Sequence, residues 1–353
     1  MLFDPVALRC GLVLPNRIAL APLTNGQSHA DGTLGDAELA FLGRRADGGF
    51  GLVETCAAYV ATDGKSWHGE LGIDRNACVP GLTRLAARIH AGGARAFVQL
   101  FHGGARADRA LTGGDLFSAS AWTEGEISRR AATADDITRS IDAFVAAAVR
   151  AHAAGFDGIE LHGAHGYLLS QFLSTTFNTR DDAWGGAYEN RARLVREVTR
   201  RVRAAVPATF AVGVRLSLED FGQAKGLDLD ESLQLCAWLA DDGADFLHVS
   251  LWDVTRTTTK RADEHALPLV RAAIPKDVAI FTAGKIWSHA DAEAALAKGA
   301  DIVALGRSAI VNPDWPRTAD ELRPPVTRAQ LAERSVSPGF ADYLTRWKGF
   351  ITG

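Results

Sequence analysis

Eight short runs of apolar, β-forming residues recur along the chain, each separated from the next by a longer amphipathic stretch. The runs are RIALAPLT (17–24), FGLVETCAAYV (50–60), ARAFVQLFHGG (94–104), DGIELHG (157–163), TFAVGVRLS (209–217), DFLHVSLWD (245–253), VAIFTAGKI (278–286) and DIVALGRSA (301–309). Between them lie segments such as ITRSIDAFVAAAVRAHAAG and RARLVREVTRRVRAAV, apolar at helical spacing with arginines on the other face. Several of these helices end in a glycine or proline stop, as in AAGFDG, AVPATF and AKGADI. Nearly continuous apolar strands, each preceded by a helix, require a parallel sheet covered on both faces.

Eight such units make a (β/α)8 TIM barrel; an open, doubly wound sheet is the competing topology. The barrel is favoured because polar types recur at the C-terminal ends of the runs, where a barrel collects its chemistry. Thr24, Gln99, His162, Arg215 and the AGK and LGR turns all sit there. A short N-terminal β-hairpin is expected ahead of the first strand. Two insertions, about 104–132 and 174–189, follow strands and so are expected to cap the C-terminal face. No repeat or linker divides the chain, so residues 1–353 read as a single domain.

Composition narrows the function classes. The net charge is −4 and the arginines are scattered, so no basic stripe points to nucleic acid. No apolar run reaches the ~18 residues of a membrane span, and MLFDPVALRCG lacks the layout of a secretion signal. Cys10, Cys56, Cys78 and Cys236 form no CxxC pair, which argues against a zinc site, an iron–sulfur cluster or a disulfide framework. A cytoplasmic protein acting on a small molecule, as a monomer or homo-oligomer, is the expectation.

The chemistry concentrates in IELHGAHGYLLSQFLS (159–174). An apolar strand that ends in His162, His165 and Tyr167 offers two imidazole donors and a phenol that stays protonated at neutral pH. A reaction that builds enolate charge on a carbonyl needs that set. Three satisfied loop residues, or a metal-dependent hydrolase site completed by His102 and His248, are the other readings. The turns around Gly284 and Gly306 lie on strands seven and eight, where barrels bind phosphate on backbone amides, and Arg307 would add a bidentate contact. Arg215 ends an apolar strand and calls for an anionic or polar partner. Gln99 pairs a donor with an acceptor suited to a heterocycle edge.

With these motifs in hand, the chain resembles the old yellow enzymes, the FMN-dependent ene-reductases of the NADH:flavin oxidoreductase family. The resemblance runs from LPNRIALAPLT to LGRSAIVNPDW and includes VQLFHGG, NTRDDAWGG, ENRARL and VGVRLS. It implies that Ala21, Pro22, Leu23 and Thr24 lie along a bound FMN, with Thr24 near C4=O and N5. Ala57 would contact the flavin, Gln99 its pyrimidine edge, and Arg215 the N1 and C2=O side. Gly284, Gly306 and Arg307 would hold the phosphate. His162, which also borders the cofactor, and His165 would clamp a substrate oxygen, and Tyr167 would protonate the α-carbon. NAD(P)H would reduce the FMN, and an enone, enal, maleimide or nitroalkene would then take hydride at its β-carbon.

The chain departs from the family pattern at three positions. His165 stands where many members have asparagine. Thr24 replaces the redox-tuning cysteine of one bacterial branch, and Gly26 replaces that branch's substrate-contacting tyrosine. The cysteine-rich segment of larger relatives has no counterpart, so electrons are expected directly from a nicotinamide. An N-demethylase of the same family is the nearer alternative function, and Tyr188 in the second insertion is the reserve candidate for the acid.

Overall fold

The eight runs resolve into eight parallel strands that close in chain order into a barrel, in a computed structural model that describes residues 1–318 and 322–352. They are β1 (Ile18–Leu20), β2 (Leu52–Tyr59), β3 (Arg95–Phe101), β4 (Gly158–Gly163), β5 (Ala211–Leu216), β6 (Phe246–Ser250), β7 (Ala279–Ala283) and β8 (Ile302–Leu305). Closure is made where Val303 of β8 registers with Ile18 of β1. The intervening helices are α1 (Asp36–Asp47), α2 (Val79–Ala91), α3 (Ala134–Ala153), α4 (Arg193–Ala205), α5 (Leu229–Asp241), α6 (Ala266–Ala273) and α7 (His289–Ala297). Their starts are specified locally: Thr133 with Asp136, and Ser288 with Asp291, close reciprocal capping boxes on α3 and α7, and Asp228 caps α5. Each such cap stabilises its helix by about 1 kcal/mol.

The barrel strands are buried at every position but Arg95 and Ser250, because one face meets the helices and the other fills the barrel. Inward residues alternate with outward ones until β2, where a bulge between Glu54 and Ala57 resets the alternation. The lower barrel is filled by a stack of three rings, Phe97 on Phe246 at 5.6 Å and Phe246 on Phe281 at 4.2 Å. Gly213 makes that stack possible, since a Cβ there would lie 2.2 Å from the Phe246 ring. The expected N-terminal hairpin pairs Val6–Ala7 with Val13–Leu14, and Leu8 and Leu14 join the lower barrel cluster.

Both insertions leave the C-terminal ends of their strands. The first forms a small sheet of Phe117–Ser118, Trp122–Glu124 and Ile127–Ala131. The second packs against it: Arg180 donates 2.8 Å hydrogen bonds to the carbonyls of Ala119 and Ala132. The four cysteines are unpaired, and among the described residues no helix is long and apolar enough to cross a membrane.

Candidate active site

A cavity of about 670 Å³ opens at the C-terminal ends of the strands. Ala21, Pro22, Leu23 and Thr24 follow β1 along one wall, with Ala57 of β2 beside them. Gln99, His162 and Arg215 project from β3, β4 and β5, and Gly284, Gly306 and Arg307 form the turns after β7 and β8. His165 and Tyr167 complete the lining, so all the residues expected to hold the flavin and the substrate border one space.

The turn after β4 is held under local constraint. His165 adopts φ 61°, a left-handed conformation unusual for a residue with a side chain. Its N–H donates to Ser217 Oγ at 3.2 Å, and its carbonyl accepts from Arg106 Nη1 at 2.6 Å. The turn brings the His162 and His165 rings to 5.0 Å and those of His162 and Tyr167 to 5.3 Å. His165 Nε2 meets Ser250 Oγ at 2.8 Å, while buried His162 Nδ1 has no partner among the described residues. Burial, reinforced by Arg215 and, for His162, by His165, holds both imidazoles well below the ordinary histidine range. Both are therefore neutral near pH 7, each with one N–H to donate. Burial pushes the Tyr167 phenol up, so it keeps its proton. Tyr167 rests edge-on against Phe101 at 4.5 Å, with the Arg106 guanidinium 4.2 Å from its ring centre.

The far end of the cavity is built from backbone. Gly284 has φ 156°, and a Cβ there would fall 1.9 Å from the Leu251 carbonyl oxygen. The chain turns at Gly306 into the short helix α8 (Arg307–Val311), where buried Ser308 Oγ has no partner among the described residues. Arg215 Nε is likewise buried and unpartnered, although its Nη2 donates to Ser250 Oγ at 3.2 Å. Apolar wall, unpartnered donors and glycine turns with an arginine fit a flat heterocycle that carries an anionic tail.

The metal-hydrolase arrangement lacks its ligands. His102 is engaged by Asp63 and by the Gly104 N–H, and His248 by Glu160 at 2.6 Å. Among the described residues the one metal-like grouping, Glu54, Glu160 and His248, leaves out His162 and His165. Tyr188 is not at the cavity; it stacks on Trp238 at 5.7 Å among the outer helices. Of the two insertions, the first contributes Arg106 to the cavity lining. The rim is completed by Trp67, by Phe221–Gln223, by Trp252 and by the C-terminal Tyr343, Trp347 and Lys348. Arg106 was signalled only by its place beside the FHGG turn, and the C-terminal aromatics by nothing local.

Comparison with known proteins agrees with this geometry. Residues 1–325 match the NADH:flavin oxidoreductase / NADH oxidase family profile. A probable NADH-dependent flavin oxidoreductase of Bacillus subtilis is 37% identical over 322 residues, which is 89% of this chain and 86% of that protein. The structure of an old yellow enzyme homologue from Zymomonas mobilis superposes with a TM-score of 0.84 at 29% identity, covering 97% of this chain and 99% of that one. Morphinone reductase in complex with tetrahydroNAD gives a TM-score of 0.81 at 29% identity, covering 94% and 93%. Some relatives are longer: the chain spans 33% to 50% of the length of three of them. The chain belongs to the NADH:flavin oxidoreductase / NADH oxidase family, among the old yellow enzymes, and is an FMN-dependent NAD(P)H oxidoreductase.

Proposed function

We propose that the protein is an ene-reductase, which passes reducing equivalents from NAD(P)H to an alkene conjugated to a carbonyl or nitro group. The observation that carries this reading is the convergence of two neutral imidazoles and one protonated phenol on a single cavity. FMN, when bound, supplies two-electron hydride exchange with both partners. The chain supplies binding, orientation and a proton.

In this reading Ala21, Pro22, Leu23, Thr24 and Ala57 form the flat wall for the flavin ring. Gln99 and Arg215 face its polar edge, while Gly284, Gly306 and Arg307 hold the phosphate. His162 and His165 donate to the substrate oxygen, which draws electron density off the alkene and stabilises the enolate charge that develops. Because both rings are neutral, they stabilise that charge without surrendering a proton to it. Tyr167 delivers its phenolic proton to the α-carbon, and Arg106 against its ring stabilises the phenolate left behind. Substrate and nicotinamide occupy the same space in turn, so the kinetics are ping-pong.

The test is anaerobic reduction of the yellow protein by NADH or NADPH, followed by mixing with a panel of enones, enals, maleimides and nitroalkenes. Rapid reoxidation coupled to saturation of the C=C bond is expected. Reoxidation by dioxygen alone, with the whole panel inert, would refute the ene-reductase reading while leaving family and cofactor intact.

A further inference from the structure

Beneath the cavity floor lies a layer of polar side chains that the proposed chemistry does not use. Glu54 of β2, Glu160 of β4 and His248 of β6 point into the barrel between the phenylalanine stack and the floor residues Gln99 and Arg215. All three are fully buried, and none of them lines the cavity. Their ligand-type atoms lie within 4.8 Å of one another. Glu160 is the hub: it accepts from Gln99 Nε2 at 2.6 Å and pairs with His248 Nδ1 at 2.6 Å. Both carboxyl oxygens of Glu54 and Nε2 of His248 have no hydrogen-bond partner among the described residues.

A metal ion is one occupant such a grouping could take, but Arg215 acts electrostatically on both carboxyls and would repel a cation. Charge balance points elsewhere. The groups facing the two carboxyls are Arg215 from β5 and His248 from β6, with amide Gln99 from β3 and neutral His162 above. From β1, β7 and β8 the inward residues at this level are apolar: Ala19, Ala21, Phe281, Ala283 and Ala304. One positive charge faces two carboxyl groups in a dry enclosure, so one carboxylate is balanced and a second is not. Burial and the neighbouring Glu160 push Glu54 well up, while His248, Arg215 and Gln99 together outweigh the burial of Glu160 and keep it ionised. His248, held below the usual histidine range by burial, serves as a neutral donor.

We propose that Glu54 and Glu160 form a buried carboxyl pair, oriented by Gln99 and His248, that takes up one solvent proton when the flavin above is reduced. The inference rests on the reading that Arg215 faces the flavin's N1 edge. NAD(P)H contributes two electrons and one hydrogen as hydride, which leaves a negative charge at that edge. Arg215 then faces two anions, one on each side. A solvent proton that forms an O–H bond on the carboxyl pair removes one of them and releases Arg215 to the other. Glu54 and Glu160 are thus positioning residues, which act on the flavin through Arg215.

The test uses holoenzyme with FMN bound, reduced anaerobically in weakly buffered solution with a pH indicator, alongside redox-difference infrared spectroscopy. In the parent, about one solvent proton should disappear per flavin reduced while the absorption spectrum reports an anionic flavin. The difference spectrum should gain a protonated-carboxyl band that shifts in D2O. Glu54→Gln/Glu160→Gln should lose both signals and retain bound flavin, with a midpoint potential less dependent on pH. Reduction of the parent without proton uptake, uptake without a carboxyl band, or a metal ion retained at one per chain would each overturn the proposal. The parent measurements decide the matter even if the double variant fails to fold. A colourless parent would instead count against the cofactor reading.

Discussion

The two halves of the barrel interior are built on opposite principles. Toward the N-terminal ends, Phe97, Phe246 and Phe281 stack within 5.6 Å and Leu8 and Leu14 close the base, an apolar filling throughout. Toward the C-terminal ends, His162, Arg215 and Ser308 each bury a polar atom that has no partner among the described residues. An unmatched buried donor destabilises a fold by roughly 1–3 kcal/mol, so that upper layer is sustained by what binds it and by the packing below. Stability and chemistry are separated along the barrel axis, and the following substitutions probe how complete the separation is.

The largest effect is expected from Tyr167→Phe in the upper half. The ring keeps its contacts with Phe101 and Arg106, so flavin content and stability should hardly change. Loss of a positioned acid typically slows its step ~10²–10⁴-fold. Stopped-flow reoxidation by 2-cyclohexenone should fall by that much, while reduction by NAD(P)H stays within a few-fold. Nitroalkenes should be far less affected, because a nitronate can leave and take its proton from water. Parent-like reoxidation by cyclohexenone would strip Tyr167 of the acid role.

Phe281→Ala is the mirror experiment in the lower half. Removing a buried ring from a stack usually destabilises by ~3–5 kcal/mol. Denaturant unfolding should show that loss, and flavin bound by the folded fraction should turn over at the parental rate. A comparable drop in turnover would mean that the two halves are mechanically coupled, with the glutamate layer between them as the route.

The lower half was also the more legible in the sequence. Its strands are continuous apolar runs whose order and spacing leave little besides a barrel, and the glycine stops mark where each helix ends. Thr24, Gln99, His162 and Arg215 were legible one by one because each is a polar type at the end of an apolar strand, while Ala21, Pro22, Leu23 and Ala57 came only with the family resemblance. What could not be read was which side chains meet. The bulge after Glu54 breaks the alternation from which its inward direction could have been read, and the Glu54–Glu160–His248 grouping joins three strands far apart in sequence. The insertions follow β3 and β4 at the C-terminal face, and Arg106 of the first reaches the cavity, but that Arg180 ties the two to each other was not legible. Trp347 reaches the rim from the C-terminal segment, which carries no strand-end signature.

A pH experiment sharpens the comparison at a smaller scale. His162 and His165 are buried neutral and titrate well below the ordinary histidine value of about 6.5 that they regain on unfolding. Below about 6.5 the unfolded chain therefore binds more protons, and stability is lost as the pH falls, by at most ~1.4 kcal/mol per pH unit for each histidine. Glu38, Glu54 and Glu70, held up by burial, act in the opposite sense over part of the same window. The diagnostic is thus the difference in slope between parent and His162→Asn/His165→Asn, followed by urea unfolding from pH 5.5 to 7.5. The variant should lose less stability on acidification. Equal slopes would mean that the two imidazoles are charged in the folded protein.

The smallest effect falls on Thr24, where the separation of the halves meets the redox chemistry itself. Thr24 lines the cavity beside Pro22 and Leu23, half-buried. In the proposed pose its hydroxyl lies near C4=O and N5, where electron density rises on reduction and a hydrogen bond therefore favours the reduced form. One such bond has a net worth on the order of 1 kcal/mol. For a two-electron couple that corresponds to roughly 20–30 mV. Thr24→Ala should lower the midpoint potential by about that amount and slow reduction by NAD(P)H, while Thr24→Ser, which keeps the hydroxyl, should stay close to the parent. Unfolding should be unaffected in both, because nothing in the lower barrel depends on this side chain. A potential unchanged in Thr24→Ala would place the hydroxyl away from the flavin's reactive edge and leave the tuning of this site to Arg215 and the carboxyl layer beneath it.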